Sequence, residues 1–381
     1  MRIALLSLLC CPALLAQTSN FSPKIAAAMQ EMIAAKEVPG AVTLVATRDR
    51  VTHLAAIGQA GPDGASRPLR KDSIFWIASM TKPITGAAIM MLQDEGKLSV
   101  DDLVGKYVPE LAKLKTPSGQ PANLTLKHLL THSSGMPEAT PEELKAARKL
   151  ADLTAAYLNK PMQFEPGAKW QYCQSGINTL GRIVEVVSSM PFERFLDQRL
   201  FRPLKMKDTA FYLQAKQAPR LVTPAKREED GRLAAAPNAF LQGKAATDTD
   251  RFPAPNGGLF STAPDYARFA RMILNGGTLD GKRYLKPESV KQMTTMQSGD
   301  LKTGFTPGNG WGLGWCVVRE PQGVTAMLGV GTHGHGGAYG TQAWVDPVNG
   351  VVLILMVQRS NFRNGDDSPV RLAFQRAAMG R

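Results

Sequence analysis

The chain has 381 residues, 44% apolar and 20% charged. That is the balance of a globular protein with one large or two closely packed domains, and it excludes a disordered or fibrous chain. Lys and Arg number 45 against 32 Asp and Glu, a formal charge of +13. These basic residues are scattered, with short clusters only at Arg48/Arg50, Arg67/Arg70/Lys71 and Lys226/Arg227, and no zinc-finger or RNA-binding pattern accompanies them, so a nucleic-acid partner is excluded.

At the N-terminus Arg2 precedes an apolar stretch over residues 3–15, with Ala16 as a cleavage edge before Gln17. The stretch is too short to span a bilayer and reads as a signal peptide over residues 1–16, so export is expected, without stable membrane insertion. Cys10 and Cys11 would leave with it, and Cys173 and Cys316 are expected to be free and partly buried.

Residues 22–36 carry an amphipathic helix pattern. Gly40–Thr47 and Val51–Gly58 read as two strands of a hairpin, followed by a Gly/Pro-rich loop over 58–68. A helix is predicted from Pro83 to Leu92, with Gly96 as its C-cap, and others over 125–131, 141–158, 176–189 and 192–200. Residues 215–255, rich in Ala, Lys, Pro and Asp, lack periodicity and read as a long surface loop over a cleft. A helix over 264–274, strands over 312–318, 323–329, 340–345 and 351–358, and a closing helix over Pro369–Met379 complete the chain.

Strands at both ends with helices between them predict an α/β fold of the α+β type. Hairpins and short connections favour an antiparallel sheet, because parallel neighbours need crossovers. The expected organisation is a discontinuous α/β domain from residues 22–80 and 264–381, and a mostly helical domain over 81–263.

Three short segments carry the chemistry. In Ser79-Met80-Thr81-Lys82 a hydroxyl and an amine stand three residues apart at a helix start, hence on one helical face. A serine there has a base and a positive dipole end beside it. Tyr172, in Trp170-Gln171-Tyr172-Cys173-Gln174-Ser175-Gly176, falls at the entrance of a helix. Gly334-His335-Gly336-Gly337-Ala338-Tyr339-Gly340 is a glycine-rich run leading into a strand, able to bring backbone N–H donors close to a ligand. The pair His333/His335 lacks a third ligand at suitable spacing, so no metal is expected, nor any cofactor. His132 reads as a helix-capping residue. No G-x-S-x-G occurs, which excludes an α/β-hydrolase nucleophile elbow.

In this order, S-x-x-K, a tyrosine loop and a glycine-rich strand resemble the serine β-lactamase-related hydrolases, a group with class C β-lactamases, D,D-peptidases and family VIII carboxylesterases. Glu95-Gly96-Lys97-Leu98-Ser99-Val100-Asp101-Asp102, Leu129-Leu130-Thr131-His132-Ser133-Ser134-Gly135, Gly257-Gly258-Leu259-Phe260-Ser261-Thr262 and Trp311-Gly312-Leu313-Gly314-Trp315 look like landmarks of the same family. The resemblance implies a β-lactamase/D,D-peptidase-like fold and an acyl-enzyme on Ser79. Lys82 and Tyr172 would share the proton work, with tyrosine as the base and both pKa values lowered. The backbone N–H groups of Ser79 and Ala338 would form the oxyanion hole.

Two departures bear on the substrate. Gln174 stands where the family usually has Asn, and His335-Gly336-Gly337 where β-lactamases and D,D-peptidases usually have Lys-Thr-Gly. Gln174, His335, Gly336 and Gly337 are therefore the expected substrate-binding residues, with a weakened grip on a β-lactam carboxylate. An exported carboxylesterase for short-chain or small aromatic esters leads. A β-lactamase or peptidoglycan D,D-peptidase, and a non-catalytic protein that binds cell-wall fragments, stay open.

Overall fold

A computed structural model describes residues 21–62 and 67–380 of the chain. The apolar stretch 3–15, its cleavage edge at Ala16, Cys10 and Cys11, and the middle of the loop 58–68 lie outside the described residues. Two strands from the front of the chain, β1 (Gly40–Thr47) and β2 (Val51–Gly58), join five from its end. These are β3 (Asn309–Trp311), β4 (Cys316–Val318), β5 (His333–Gly336), β6 (Gln342–Asp346) and β7 (Val351–Met356). The order across the sheet is β2-β1-β7-β6-β5-β4-β3, and every neighbouring pair is antiparallel.

Alternation along the central strands decides what each face covers, because successive side chains point to opposite sides. Val42, Leu44 and Ala46 of β1 and Val352, Ile354 and Met356 of β7 enter the larger core, on the side of the helical layer. Ala41, Val45, Leu353 and Leu355 enter the smaller one, with Ile25, Met29, Val370 and Phe374. That second face is closed by α1 (Phe21–Ala34) and α10 (Pro369–Met379), which pack against each other.

On the other face lies α8 (Ala263–Leu274), against β1, β6 and β7. Around it stand α2 (Thr81–Asp94), α3 (Leu126–Leu130), α4 (Pro141–Ala146), α5 (Leu153–Leu158), α6 (Gln174–Ser188), α7 (Phe192–Leu196) and α9 (Pro287–Thr294). Residues 81–92 of α2 are buried on every side. A helix apolar all round belongs in an interior, and α2 packs against α6 and α9 there. Among the described residues no helix is long and apolar enough to cross a membrane.

Three sequence expectations change. Residues 323–329 are not a strand but a 3-10 turn (Gly323–Thr325) and a loop, whose Val324, Met327 and Leu328 are buried. The missing strand is β5, inside the glycine-rich segment itself. Gly334 pairs with Trp344 and His335 with Ala343. A Cβ on Gly334 would stand 2.2 Å from the Ala343 carbonyl oxygen, so glycine is what lets β6 approach.

The stretch Trp311-Gly312-Leu313-Gly314-Trp315 is the tight turn between β3 and β4, with Gly314 left-handed at φ +82. The expected helix over 141–158 breaks into α4 and α5. The Asp152 carboxylate accepts from the N–H groups of Arg148 (3.0 Å) and Lys149 (3.1 Å), which starts a fresh turn there.

The region 215–255 is mostly loop as expected. It also holds a small hairpin, Ala225–Arg227 with Leu233–Ala235, tied to the end of β7 by Ala225 N–H to the Gln358 carbonyl (2.8 Å). Cys173 and Cys316 are both free.

A Gly334→Ala substitution tests whether the glycine-rich segment is a paired strand. Separation of β5 from β6 should lower stability by roughly 1–3 kcal/mol, read from denaturant midpoints; a neutral result would mean the segment is loose.

Candidate active site

The serine is delivered by a sharp change of direction. Phe75 and Trp76 pair with Ser261 and Phe260, and Ile77 N–H donates to the Leu259 carbonyl at 3.0 Å. The chain then turns through Ala78, left-handed at φ +47, into a short 3-10 turn that runs on into α2. A non-glycine residue in that region stores local strain, and such residues gather where surrounding structure holds a functional geometry. Ser79 is thereby left half-buried, facing a cavity of about 440 Å³, while Lys82 is fully buried one turn on.

Lys82 Nζ has three polar neighbours and none is a carboxylate: Ser79 Oγ at 3.1 Å, Gln174 Oε1 at 2.9 Å and the Asn256 carbonyl at 2.7 Å. Burial pushes its pKa down to about 7, against the pull of Glu138 in the opposite direction. As a free amine, Lys82 can donate to the two carbonyl-type oxygens and turn its lone pair to the Ser79 hydroxyl. The amine is thus within reach of the serine proton and turns into its uncharged form as the pH rises through about 7.

Tyr172 differs from expectation. Its ring lies under Lys82, with Nζ 4.5 Å from the centroid, so the amine meets the ring face. Burial raises the phenol well above its ordinary pKa, which makes it a proton donor and not a phenolate. The hydroxyl sits 3.4 Å from His335 Nε2. His335 Nδ1 faces the Gly336 carbonyl at 2.7 Å and must carry the proton there, leaving Nε2 as an acceptor. Burial holds this imidazole neutral, at a pKa of about 3.

The expected residues therefore converge: Ser79, Tyr172, Gln174, His335, Gly336, Gly337 and Ala338 line one cavity, and Lys82 closes it from behind. Gln174, despite its extra methylene, reaches Lys82 from the first residue of α6. The glycines serve the protein before any ligand. A Cβ on Gly337 would lie 2.1 Å from Thr341 Oγ1 and 2.6 Å from the Ile77 carbonyl oxygen, so this glycine lets the strand close on the serine turn.

Sequence reasoning missed four residues. Glu138 accepts from Gln174 N–H (2.5 Å), Ser175 N–H (3.0 Å) and Ser175 Oγ (2.6 Å), anchoring the start of α6. Asn256 gives its carbonyl to Lys82 and its Nδ2 to Gln174 Oε1 at 2.9 Å. Phe305 and Arg363 line the cavity. The one available signal was the position of Asn256 directly before the Gly257 landmark. His132, read as a cap, instead clamps the tyrosine loop on both sides of Tyr172. Its carbonyl accepts from Gln171 N–H (2.9 Å) and its Nδ1 from Cys173 N–H (3.0 Å).

Replacing Glu138 by Gln removes a negative charge that favours the protonated amine. The pKa of Lys82 should fall further, moving the acid limb of the pH–rate profile to lower pH with a lower plateau. A limb that stays in place would show that Glu138 does not act on Lys82.

With this geometry in view, the relatives of the chain can be compared. The Beta-lactamase family model matches residues 25–376. Protein Rv1367c of Mycobacterium tuberculosis is 34% identical over 361 residues, 87% of this chain and 88% of that one. Esterase EstB of Burkholderia gladioli is 26% identical, with 95% and 96% covered. A putative D-alanyl-D-alanine carboxypeptidase of Escherichia coli O157:H7 is 28% identical, with 84% and 78% covered. Among solved structures, EstCE1, a hydrolase with promiscuous acyltransferase activity, superposes with a TM-score of 0.80 at 21% identity, covering 94% of this chain and 99% of its own. The chain belongs to the Beta-lactamase family of serine hydrolases.

Proposed function

We propose that the protein is an exported serine carboxylesterase that works through an acyl-enzyme on Ser79, with short-chain or small aromatic esters as substrates. The observation that carries this is the buried Lys82 amine, 3.1 Å from Ser79 Oγ and titrating at about 7. Export rests on the sequence of residues 1–16.

In this scheme Lys82 takes the Ser79 proton as Oγ attacks the ester carbonyl. The oxyanion is met by the N–H groups of Ser79 and Ala338, both on the cavity wall. The Lys82 ammonium then gives its proton to the departing alkoxide, to which Tyr172, kept as a phenol by burial, donates a hydrogen bond. Water then enters and loses a proton to the same amine as it attacks the acyl carbon, and Lys82 returns that proton to Ser79 Oγ as the C–O bond breaks and the acid leaves. The Tyr172 and Phe305 rings, 4.9 Å apart and nearly perpendicular, supply an apolar wall for a small aromatic group.

Esterase is preferred because the third segment offers a neutral, buried imidazole at His335 where a lysine ammonium would hold a β-lactam carboxylate. EstB supports the same choice as a relative over nearly the whole chain. One observation favours the second reading, a β-lactamase or D,D-peptidase. The exposed Arg363 lines the same cavity, forms no ion pair among the described residues and is placed to meet a substrate carboxylate.

Hydrolysis of p-nitrophenyl acetate and butyrate is measured against nitrocefin. Ester turnover should fall at least about 1000-fold in Ser79→Ala, with nitrocefin slow or untouched. Fast nitrocefin cleavage would favour the second reading, and activity that survives Ser79→Ala would overturn the nucleophile.

The pH dependence follows from Lys82. The required form is the free amine, so kcat/KM should rise through an apparent pKa of about 7 and be lost progressively below it. Tyr172→Phe should reduce the rate but leave that limb in place. Loss of the limb in Tyr172→Phe would return the base to tyrosine.

A further inference from the structure

Arg251, on the long 215–255 segment, is 8% exposed and forms no ion pair among the described residues. Its Nη2 donates to the Phe211 carbonyl and, at 3.4 Å, to the Ala246 carbonyl. Nε and Nη1 are buried without a partner. The guanidinium lies over the rings of Tyr212 (4.7 Å) and Phe240 (5.6 Å). Asp248 acts on it only at range, its carboxylate being taken up by Asp250 N–H at 2.7 Å. A buried guanidinium held by carbonyls and rings alone carries an uncompensated charge, which a carboxylate matches in a two-point geometry.

Arg251 lines two cavities, and only one is free of acidic residues. The larger, about 640 Å³, sets Glu185 and Glu193 beside Arg148, Lys149 and Arg182, with Arg182 paired to Glu185 at 3.1 Å and Arg148 to Asp250 at 2.7 Å. The smaller, about 190 Å³, is lined by no acidic residue: Lys145, Lys244 and Arg251 stand beside Gln242 and apolar side chains that include Leu144, Phe240 and Phe252, with Lys244 paired to Asp250 at 3.0 Å. Asn256 lines it too, and its Nδ2 holds Gln174 while its carbonyl holds Lys82. This cavity and the catalytic one share no lining residue but meet across the Asn256–Gln174 hydrogen bond.

We propose that the smaller cavity is a binding site for a carboxylate at the end of a short apolar chain, the far end of the acyl group of the enzyme's ester substrate. Arg251 takes the carboxylate, the exposed Lys145 biases the entrance, and Phe240 and Phe252 cover the chain. The catalytic consequence rests on Ser79 being the nucleophile of an esterase, whereas binding of the carboxylate does not.

Two experiments separate these. First, kcat/KM is compared for the mono-p-nitrophenyl ester of adipic acid and for p-nitrophenyl hexanoate, which differ in a terminal carboxylate against a methyl. The wild type should favour the adipate ester by roughly ten- to hundredfold, and Arg251→Met should bring the ratio towards one. No preference in the wild type, or a preference unchanged in Arg251→Met, overturns the proposal.

Second, hexanoate is titrated calorimetrically into Ser79→Ala, which needs no turnover, so the site is tested even if the protein hydrolyses no ester. Binding lost on adding Arg251→Met and kept on adding Arg363→Ala supports the site. The reverse pattern places the carboxylate in the catalytic cavity and overturns it, as does absence of binding. Should Arg251→Met fail to fold, the exposed Lys145→Glu keeps the test: hexanoate affinity must fall several-fold, and an unchanged affinity overturns the proposal.

Discussion

Removing one amine from water is the constraint on which the site depends. Lys82 sits in a helix buried along three turns, so its side chain has no route to solvent. An ammonium there would need an anion, and the fold supplies neutral oxygens instead, from Ser79, Gln174 and Asn256. The balance between desolvation and the more distant Glu138 sets the pKa at about 7, where a lysine can act as a base. Tyr172 answers to the same burial with the opposite sign, because its charged form is the deprotonated one. One burial thus favours the free amine of Lys82 and keeps Tyr172 a phenol.

Holding those groups in register falls to parts of the chain far from Ser79 in sequence. The floor of the cavity is β5 and the residues just after it, where Gly334 lets β6 come close and Gly337 the serine turn. Its rim is the 363–366 loop, fixed from both sides. Gln342 Nε2 donates to Asp366 Oδ1 at 3.0 Å, and Arg371 of α10 donates to the Asp366 carbonyl at 2.6 Å while lying 4.1 Å over the Trp344 ring. Asn364 Nδ2 donates to the Phe305 carbonyl at 2.6 Å and joins this rim to the opposite loop, where Phe305 is left-handed at φ +72. Helix α10, which helps close the far face of the sheet, therefore also bears on the site.

Legibility followed the range of the interaction. The helix that follows Ser79 and the hairpin of β1 and β2 were readable because i,i+3 spacing and strand alternation are local. The break at Ala147 was not, since it depends on the Asp152 carboxylate taking two N–H groups. Strand β5 was hidden because His-Gly-His-Gly has no strand propensity of its own; it pairs because β6 comes close enough to supply partners. The 323–329 stretch misled for the converse reason, its apolar residues being buried by a turn that packs on the smaller core.

By itself, the sequence determined which serine, lysine and tyrosine meet at the cavity, together with the antiparallel sheet built from both chain ends, because these are written in short spacings and strong patterns. Protonation states, by contrast, belong to the tertiary structure. Whether Lys82 is an amine, Tyr172 a phenol and His335 neutral depends on how much water the packed helices and strands exclude. Glu138, Asn256, His132 and Arg251 acquire their roles the same way. Each is an ordinary polar residue in the chain, given a task only by what folding puts beside it.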